Sequence, residues 1–345
     1  MSVKQKAYNI KVFSLNNAYI RTINPNDLMS DISFTSQISW GQWELAIRIR
    51  ASITSWVIAY NQIIRVYESD TINTTPILIY SGIVGSLKRI SDGSGDYIEA
   101  RIVGLASMLA WIVFQQGGVY TFTKAQELAT TQKNIIDYFS TIYPGILSYT
   151  GSSVENTGVT TTTLSFDNTS SIEAIKLVEN TGQYWWTIDA NGLLQYHPKN
   201  GAIWQLSHNF TFWENIDSID IDENIEELAN RTIVKWTSGV AIANDAPSQA
   251  IYGIRESYES YNTWDITSAN VRASSNLSRK KDLKRKICII VNDNYNIETI
   301  RPGDLATVRN FDYTISALQI QKIEYNADRI KIELEWVNSF FNSLI

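Results

Sequence analysis

Apolar and polar residues alternate with a period of two over much of the first hundred positions, the rhythm of half-buried strands. Tyr8-Asn9-Ile10-Lys11-Val12-Phe13 and Tyr19-Ile20-Arg21-Thr22-Ile23 flank the turn dipeptide Asn16-Asn17 and predict a hairpin. Asn24-Pro25-Asn26-Asp27 breaks the pattern. Ile32 to Thr35, Glu44 to Arg50, Gln62 to Tyr67, Ile77 to Val84 and Tyr97 to Val103 continue it, with a turn over Ser91-Asp92-Gly93-Ser94-Gly95-Asp96. Short strands punctuated by turns predict a small antiparallel barrel or sandwich.

The period then lengthens. Leu105 to Phe114 reads as a short buried helix, and Leu128, Ile135, Ile136 and Phe139 recur at helical spacing within Lys124 to Ile142. Residues 151–163 are rich in Gly, Ser and Thr and predict an exposed loop. Asp167 to Ser171 offer N-caps for an amphipathic helix over Ile172 to Val178. Tyr184-Trp185-Trp186-Thr187-Ile188 and Leu193 to Pro198, around Asp189-Ala190-Asn191-Gly192, form a second hairpin. This middle is α+β.

Alternation resumes near Ile216. Strands are expected at Ile219 to Asp222, Arg231 to Trp236, Lys286 to Val291, Asp304 to Val308, Ile315 to Tyr325 and Arg329 to Trp336, with a polar helix over Thr267 to Leu283. The first and third blocks repeat an order of elements. Ile32 to Thr35 matches Ile219 to Asp222, Leu45 to Ile49 matches Ile233 to Trp236, and Ile63 to Val66 matches Asp304 to Val308. Gly82 to Leu87 matches Leu318 to Ile323, and each block ends on a cleanly alternating strand. The expected fold class is mainly β with an α+β middle: two similar small antiparallel β-barrel domains plus an inserted α+β domain. Boundaries fall at 1–104, 105–215 and 216–345, with a polar helical insertion near 240–285.

Composition narrows the function. The 345 residues carry 29 Lys+Arg against 35 Asp+Glu, a net charge of -6, which disfavours bulk attraction to nucleic-acid phosphates. An aromatic share of 12% argues against disorder. Cys288 is the single cysteine, so no intrachain disulfide forms. His197 and His208 have no metal-ligand spacing, and neither accompanies a Gly-x-Ser-x-Gly elbow. No signal peptide is visible in residues 1–14, and Leu105 to Phe114 is too short to cross a bilayer. No catalytic, cofactor-binding or metal-binding residue is assigned, and membrane insertion is not expected.

Several segments in this order resemble the baseplate hub, or tail-tip hub, proteins of tailed bacteriophages. They are Ile32 to Ile49, Ile63 to Tyr67 with Pro76 to Gly82, Leu228 to Val234, Ile251 to Glu256 and Ile300 to Asp304. The most telling is the helix Ser171 to Val178 followed by Tyr184 to Tyr196, a strand, turn, Gly-Leu-Leu and aromatic hairpin. The resemblance implies a non-enzymatic virion protein at the distal end of the tail, made in the host cytoplasm. It implies a homotrimer whose paired barrels form a pseudo-sixfold ring between the hexameric tail tube, or distal tail ring, and a spike, fibre or tail-associated protein. The ring would frame a DNA exit channel for ejection during host entry, its acidic character letting DNA slide without specific binding.

Two charged segments are candidate intersubunit contacts. Residues 201–230 carry Glu214, Asp217, Asp220, Asp222, Glu223, Glu226 and Glu227 and no Lys or Arg. Asp220, Asp222 and Glu223 are the contact candidates there, and Lys280, Lys281 and Lys284 lie in the complementary basic run. A solvated strand face and a solvated helix face would read the same way. The carboxylates also admit a tail-associated cell-wall hydrolase with Glu223 as its test position. Tyr184, Trp185 and Trp186 admit a receptor-binding tail protein or carbohydrate-binding adhesin, although adjacent strand residues point to opposite faces, so one Trp belongs to the core.

Overall fold

The alternating runs become strands because each finds an antiparallel partner that buries its apolar face. The computed structural model describes residues 6–50, 57–69, 75–93, 95–114, 126–158, 160–161, 166, 168–181, 184–198, 207–261, 265–292, 299–311, 313–326 and 329–336. The first half comprises β1 (Ala7–Ser14), β2 (Tyr19–Ile23), β3 (Ser33–Gln37), β4 (Gly41–Arg50), β5 (Gln62–Ser69), β6 (Ile77–Asp92) and β7 (Gly95–Gly104). A 3-10 helix, Leu105–Trp111, leads into the middle, with the two-residue strands β8 (Val113–Phe114), β9 (Gln126–Glu127), β10 (Thr160–Thr161) and β11 (Thr169–Ser170). The middle also holds α1 (Leu128–Ile142), α2 (Ser171–Thr181), β12 (Tyr184–Ile188) and β13 (Leu194–Pro198). Residues 124 and 125 of the helix expected over Lys124 to Ile142, and part of the 151–163 loop, lie outside the described residues.

The last part holds β14 (Ser207–Thr211), β15 (Ile216–Asn224), β16 (Arg231–Trp236), β17 (Gly239–Asn244), α3 (Ala246–Tyr252) and β18 (Glu256–Ser260). It continues with α4 (Ile266–Lys280), β19 (Lys284–Asn292), β20 (Leu305–Arg309), β21 (Thr314–Asn326) and β22 (Arg329–Trp336). The fold is mainly β with an α+β middle, as expected.

The repeat is clearest in the strand order. One half runs β3-β4-β7-β6-β5-β1, and the other runs β15-β19-β22-β21-β20-β14. The β6/β7 ladder slips by one residue between Val84 and Ser86, and the β21/β22 ladder slips between Ile320 and Lys322, the same place in the repeat. A bulge re-aims a strand at a chosen point, so a shared bulge is stronger evidence of relatedness than shared alternation. One pairing differs: β1 lies antiparallel to β5, whereas β14 lies parallel to β20.

The structure changes one match of the sequence reading. The counterpart of β4 is β19, since Leu45 sits opposite Ile102 as Ile287 sits opposite Leu334. The run 231–236 instead joins β17 and β18 in a separate three-stranded sheet. Period-two alternation marks a strand without naming its neighbour, which is why the two runs looked equivalent. The chain between β15 and β19 replaces what is only the turn 38–40 between β3 and β4. That insertion carries strands as well as the expected polar helix, and α4 covers its sheet through Ala269 and Ala273 against Val234 and Ala241.

The halves form one sheet. β3 pairs with the second half of β21, Ser33 opposite Asn326 and Gln37 opposite Lys322. A single core follows, running from Ile10, Ile47, Ile64 and Ile102 through Ile289, Ile320 and Ile332. Each such side chain, fully withdrawn from water, contributes about 1.5–3 kcal/mol. A second core joins the 3-10 helix, α1 and α2 to the β12/β13 hairpin. Ser170 and Glu173 cap α2 reciprocally: the Ser170 amide donates to Glu173 Oε2 at 3.1 Å, and the Glu173 amide donates to Ser170 Oγ at 3.3 Å.

The middle meets the sheet where β7 stops. There the buried Gln42 bridges to β6, its Nε2 donating to the Ile79 carbonyl at 2.5 Å and its Oε1 accepting from the Ser81 amide at 2.7 Å. Gly104 abuts the Gln42 carbonyl so closely that a Cβ would collide with backbone. Gly41, at φ +103°, meets Ile188 of β12 in the same way.

Two stability predictions follow from these contacts. Gly104→Ala should lower unfolding free energy by about 3 kcal/mol or more, because the clash is with backbone that cannot swing aside, whereas Gly93→Ala, which meets open space, should stay within roughly 0.5 kcal/mol. Urea titrations of the two variants check this. In the insertion, Arg272 is buried and its Nε donates to Glu259 Oε2 at 2.8 Å. Burial raises the Glu259 pKa, but Arg272 more than offsets it and holds the carboxyl below its ordinary value. The pair therefore stabilises fully above the ordinary carboxylate range, and this contribution is lost as pH falls through the lowered folded-state value. Glu259→Gln should destabilise the wild-type insertion by roughly 2–4 kcal/mol at pH 7, with the difference shrinking below about pH 4. Thermal melts of both proteins across pH 3–7 measure it.

Candidate assembly surface

The seam between the halves shows how this fold joins one repeat to another. The Phe34 and Tyr325 rings stack with centroids 4.8 Å apart. The Tyr325 hydroxyl donates to the Glu68 carboxylate and lies 3.3 Å from the Tyr8 hydroxyl. Lys6 Nζ lies 3.3 Å from Glu68 Oε1, with both side chains buried. Burial first, then the neighbouring Glu68 charge, holds the Tyr325 phenol far above its ordinary pKa, so it stays a donor. A buried carboxylate needs such partners.

The acidic candidates sit at the far end of the sheet. Asp220, Asp222 and Glu223 are exposed on β15, which pairs on one side with β19. Asp222 faces Lys286, Glu223 faces Arg285 and Asn224 faces Lys284, so the acidic and basic runs are adjacent strands of one chain. Lys286 also lies 2.8 Å from Glu333 on β22. Lys280 ends α4, and Lys281 caps it with Nζ 3.2 Å from Asp245 and 3.6 Å from Asp282. The three acidic candidates thus share a strand pair with Lys284, and Lys280 and Lys281 lie at the end of α4 that leads into β19.

Of the strand edges that have no ladder among the described residues, which include the outer edges of β2 and β14, two carry runs of charge. One is the outer edge of β15. The other belongs to the second half of β6, where residues 84–92 run past the end of β5 while remaining paired with β7. This second edge carries Lys88 and Arg89 and was not singled out from sequence, where the strand was expected to stop at Val84. Period-two alternation does not announce it, since Leu87-Lys88-Arg89-Ile90 sets two cations side by side between apolar residues. A separate aromatic group was also not singled out: Trp213 and Phe311, 73% and 78% exposed, lie 6.3 Å apart by ring centroid at neighbouring turns.

The residues weighed for chemistry are committed to packing. Trp185 and Trp186 are both fully buried, one beside His197 and the other donating its indole N–H to Glu179 at 3.1 Å, so neither offers a face to a sugar. Burial lowers the His197 pKa despite Glu155, whose Oε1 lies 2.7 Å from Nδ1. His208 Nε2 lies 2.9 Å from Asp304 Oδ2, tying β14 to the turn before β20. Burial raises the Asp304 pKa against the pull of His208. Among the described residues no three His, Cys, Asp or Glu side chains converge as a metal site.

The geometry has close counterparts among solved structures. The tail protein from Neisseria meningitidis MC58 superimposes with a TM-score of 0.66 at 11% identity, covering 96% of each chain. The 43 kDa tail protein of prophage MuSo2 from Shewanella oneidensis gives 0.65 at 12% identity, covering 95% of this chain and 98% of that one. The chain has the fold of phage tail proteins. A type VI secretion component from Escherichia coli, described as structurally similar to the T4 bacteriophage tail proteins gp27 and gp5, gives 0.54 at 9% identity, covering 96% of this chain and 74% of its own. No protein-family model matches the chain, and no curated protein matches it in sequence. At these identities the likeness lies in the tail-protein fold, carried by backbone geometry more than by particular side chains.

Proposed function

We propose that this protein is a structural hub of a phage tail tip, a homotrimer that joins the tail tube or distal tail ring to a spike, fibre or tail-associated protein. The observation that carries the reading is the repeat: two halves with the same strand order and a shared bulge position, already joined edge to edge. Three copies of a two-repeat chain present six similar units, so a ring can match a hexameric tube on one side and a threefold partner on the other. The tail-protein fold supports the same reading. The ring frames a channel for DNA during ejection, and the net negative charge favours passage without adhesion.

The role is assembly rather than catalysis, at the distal end of the virion's tail. The burial of Trp185 and Trp186 takes those two rings out of reach of a sugar, which favours assembly over a carbohydrate-binding adhesin built on them. Asp220, Asp222 and Glu223, with Lys284 on the neighbouring strand and Lys280 and Lys281 at the end of α4, lie at the subunit boundary in this arrangement.

Light scattering on the purified chain should give the mass of three copies, and averaged electron micrographs should show a ring of six lobes. A stable monomer, or six copies as in a distal tail ring, would overturn the reading. Reversing charge at Lys281 and Lys284 together should raise the concentration for half-assembly roughly tenfold, the equivalent of about 1.4 kcal/mol. An unchanged value removes these lysines from the boundary.

A further inference from the structure

The seam inside the chain supplies a template for a contact between chains. In the repeat, β15 is the counterpart of β3 and β6 is the counterpart of β21. β21 uses its first half for β20 and its second half for β3. β6 uses its first half for β5, and its second half has no partner on that side among the described residues. Of the unladdered edges, these two are the counterparts of a seam that is already made once within the chain, whereas β2 and β14 have no counterpart in that seam.

We infer that the outer edge of β15 in one copy pairs antiparallel with residues 84–92 of β6 in the next copy, placing Asp222 opposite Lys88. The inference rests on the ring reading above and names the contact that closes the ring. The internal ladders set its register. Ile221 takes the place of Phe34, because Ile221 faces Ile287 as Phe34 faces Leu45. Arg89 takes the place of Tyr325, because Arg89 faces Ile98 as Tyr325 faces Ile330. Phe34 pairs with Tyr325 and Thr35 with Glu324. The new ladder therefore sets Ile221 against Arg89, Asp222 against Lys88 and Asp220 against Ile90.

Side-chain chemistry agrees with this register, which was obtained without it. The β15 edge carries Asp217, Asp220, Asp222 and Glu223. The β6 edge carries Lys88 and Arg89 at its middle, with Asp92 at its end accepting from the Tyr97 hydroxyl at 3.0 Å, so Asp222–Lys88 is the pair of opposite charges set directly across. Opposite charges directly across a ladder stabilise it, and like charges destabilise it. Two β15 edges would repel each other, so the charges select a head-to-tail contact over a twofold one. Ile221, 42% exposed in the single chain, lies on the face that Phe34 buries in the first half, and the incoming Leu87 and Arg89 would cover it. Every such contact joins the second half of one copy to the first half of the next, as the internal seam joins the first half to the second.

Disulfide trapping tests the pairing. Cys288 is replaced by Ser, and each chain then carries either Asp222→Cys with Lys88→Cys or Ile221→Cys with Arg89→Cys. Neighbouring pairs in an antiparallel ladder alternate between wider and closer approach, so one of the two brings its Cβ atoms within disulfide reach. Under mild oxidation the paired variants should give covalent dimers and trimers on non-reducing gels, while each single-cysteine variant should not. An oligomer of three-copy mass with no crosslink from either pair, or with equal crosslinking by single-cysteine variants, overturns the pairing and leaves the hub reading standing. Specific crosslinks in an oligomer of another size uphold the pairing and overturn the trimeric hub. A chain that stays monomeric and uncrosslinked overturns both.

Discussion

The β3–β21 ladder is the constraint on which the rest of the molecule depends. It joins the two six-stranded repeats, with β2 at the edge of the first, into one thirteen-stranded sheet and gives them a common core. Around this ladder the chain places its most demanding buried polar group, the Glu68 carboxylate, held by Lys6 and the Tyr325 hydroxyl. Removing one partner of such a cluster leaves a charge without compensation, a far larger penalty than losing a surface ion pair. The seam is therefore specific as well as adhesive: a shift by one residue would turn Phe34 and Tyr325 out of the core.

The seam also positions what the two halves carry. The middle part is set against the start of β4, where the Ser39 amide donates to the Trp186 carbonyl at 2.6 Å and Ser39 Oγ donates to Glu179 at 2.5 Å. Gly41 and Gly104 allow backbone to meet backbone at this junction. The insertion, in contrast, occupies the β15–β19 connection and has a small core of its own. The large attachments thus leave the β3, β15 and β6 edges to strand pairing. Strand pairing suits an assembly protein, because a ladder is repetitive, directional and readily tuned by the charges along it.

Much of the local structure was legible in the sequence. The hairpin around Asn16-Asn17, the capped helix after Ser170, the hairpin through Asn191-Gly192 and the strands of both halves follow from period and turn chemistry. These are local signals, set by a few neighbouring residues. The match of β4 with 231–236 was not recoverable this way, since β16 and β19 alternate equally well and only the partners on either side distinguish them. β14 escaped notice because Ser207-His208-Asn209-Phe210-Thr211 holds few apolar positions, and its parallel pairing with β20 depends on residues about a hundred positions away. The acidic and basic runs were read as separate charged surfaces, but the distance between them in sequence vanishes once β15 and β19 are neighbours.

By itself the sequence determined where most strands and helices of the two halves and the middle form, that two blocks share an order of elements, and that almost no reactive chemistry is available with one Cys and two His. Only the tertiary structure decided which strands are neighbours, that both tryptophans of the Tyr184–Ile188 strand are core, and which edges have no ladder among the described residues. The reason is the range of the interactions. Alternation and capping act within a few residues, whereas the register of a ladder is set by side chains hundreds of positions apart, as Glu68 and Tyr325 are, meeting in one core.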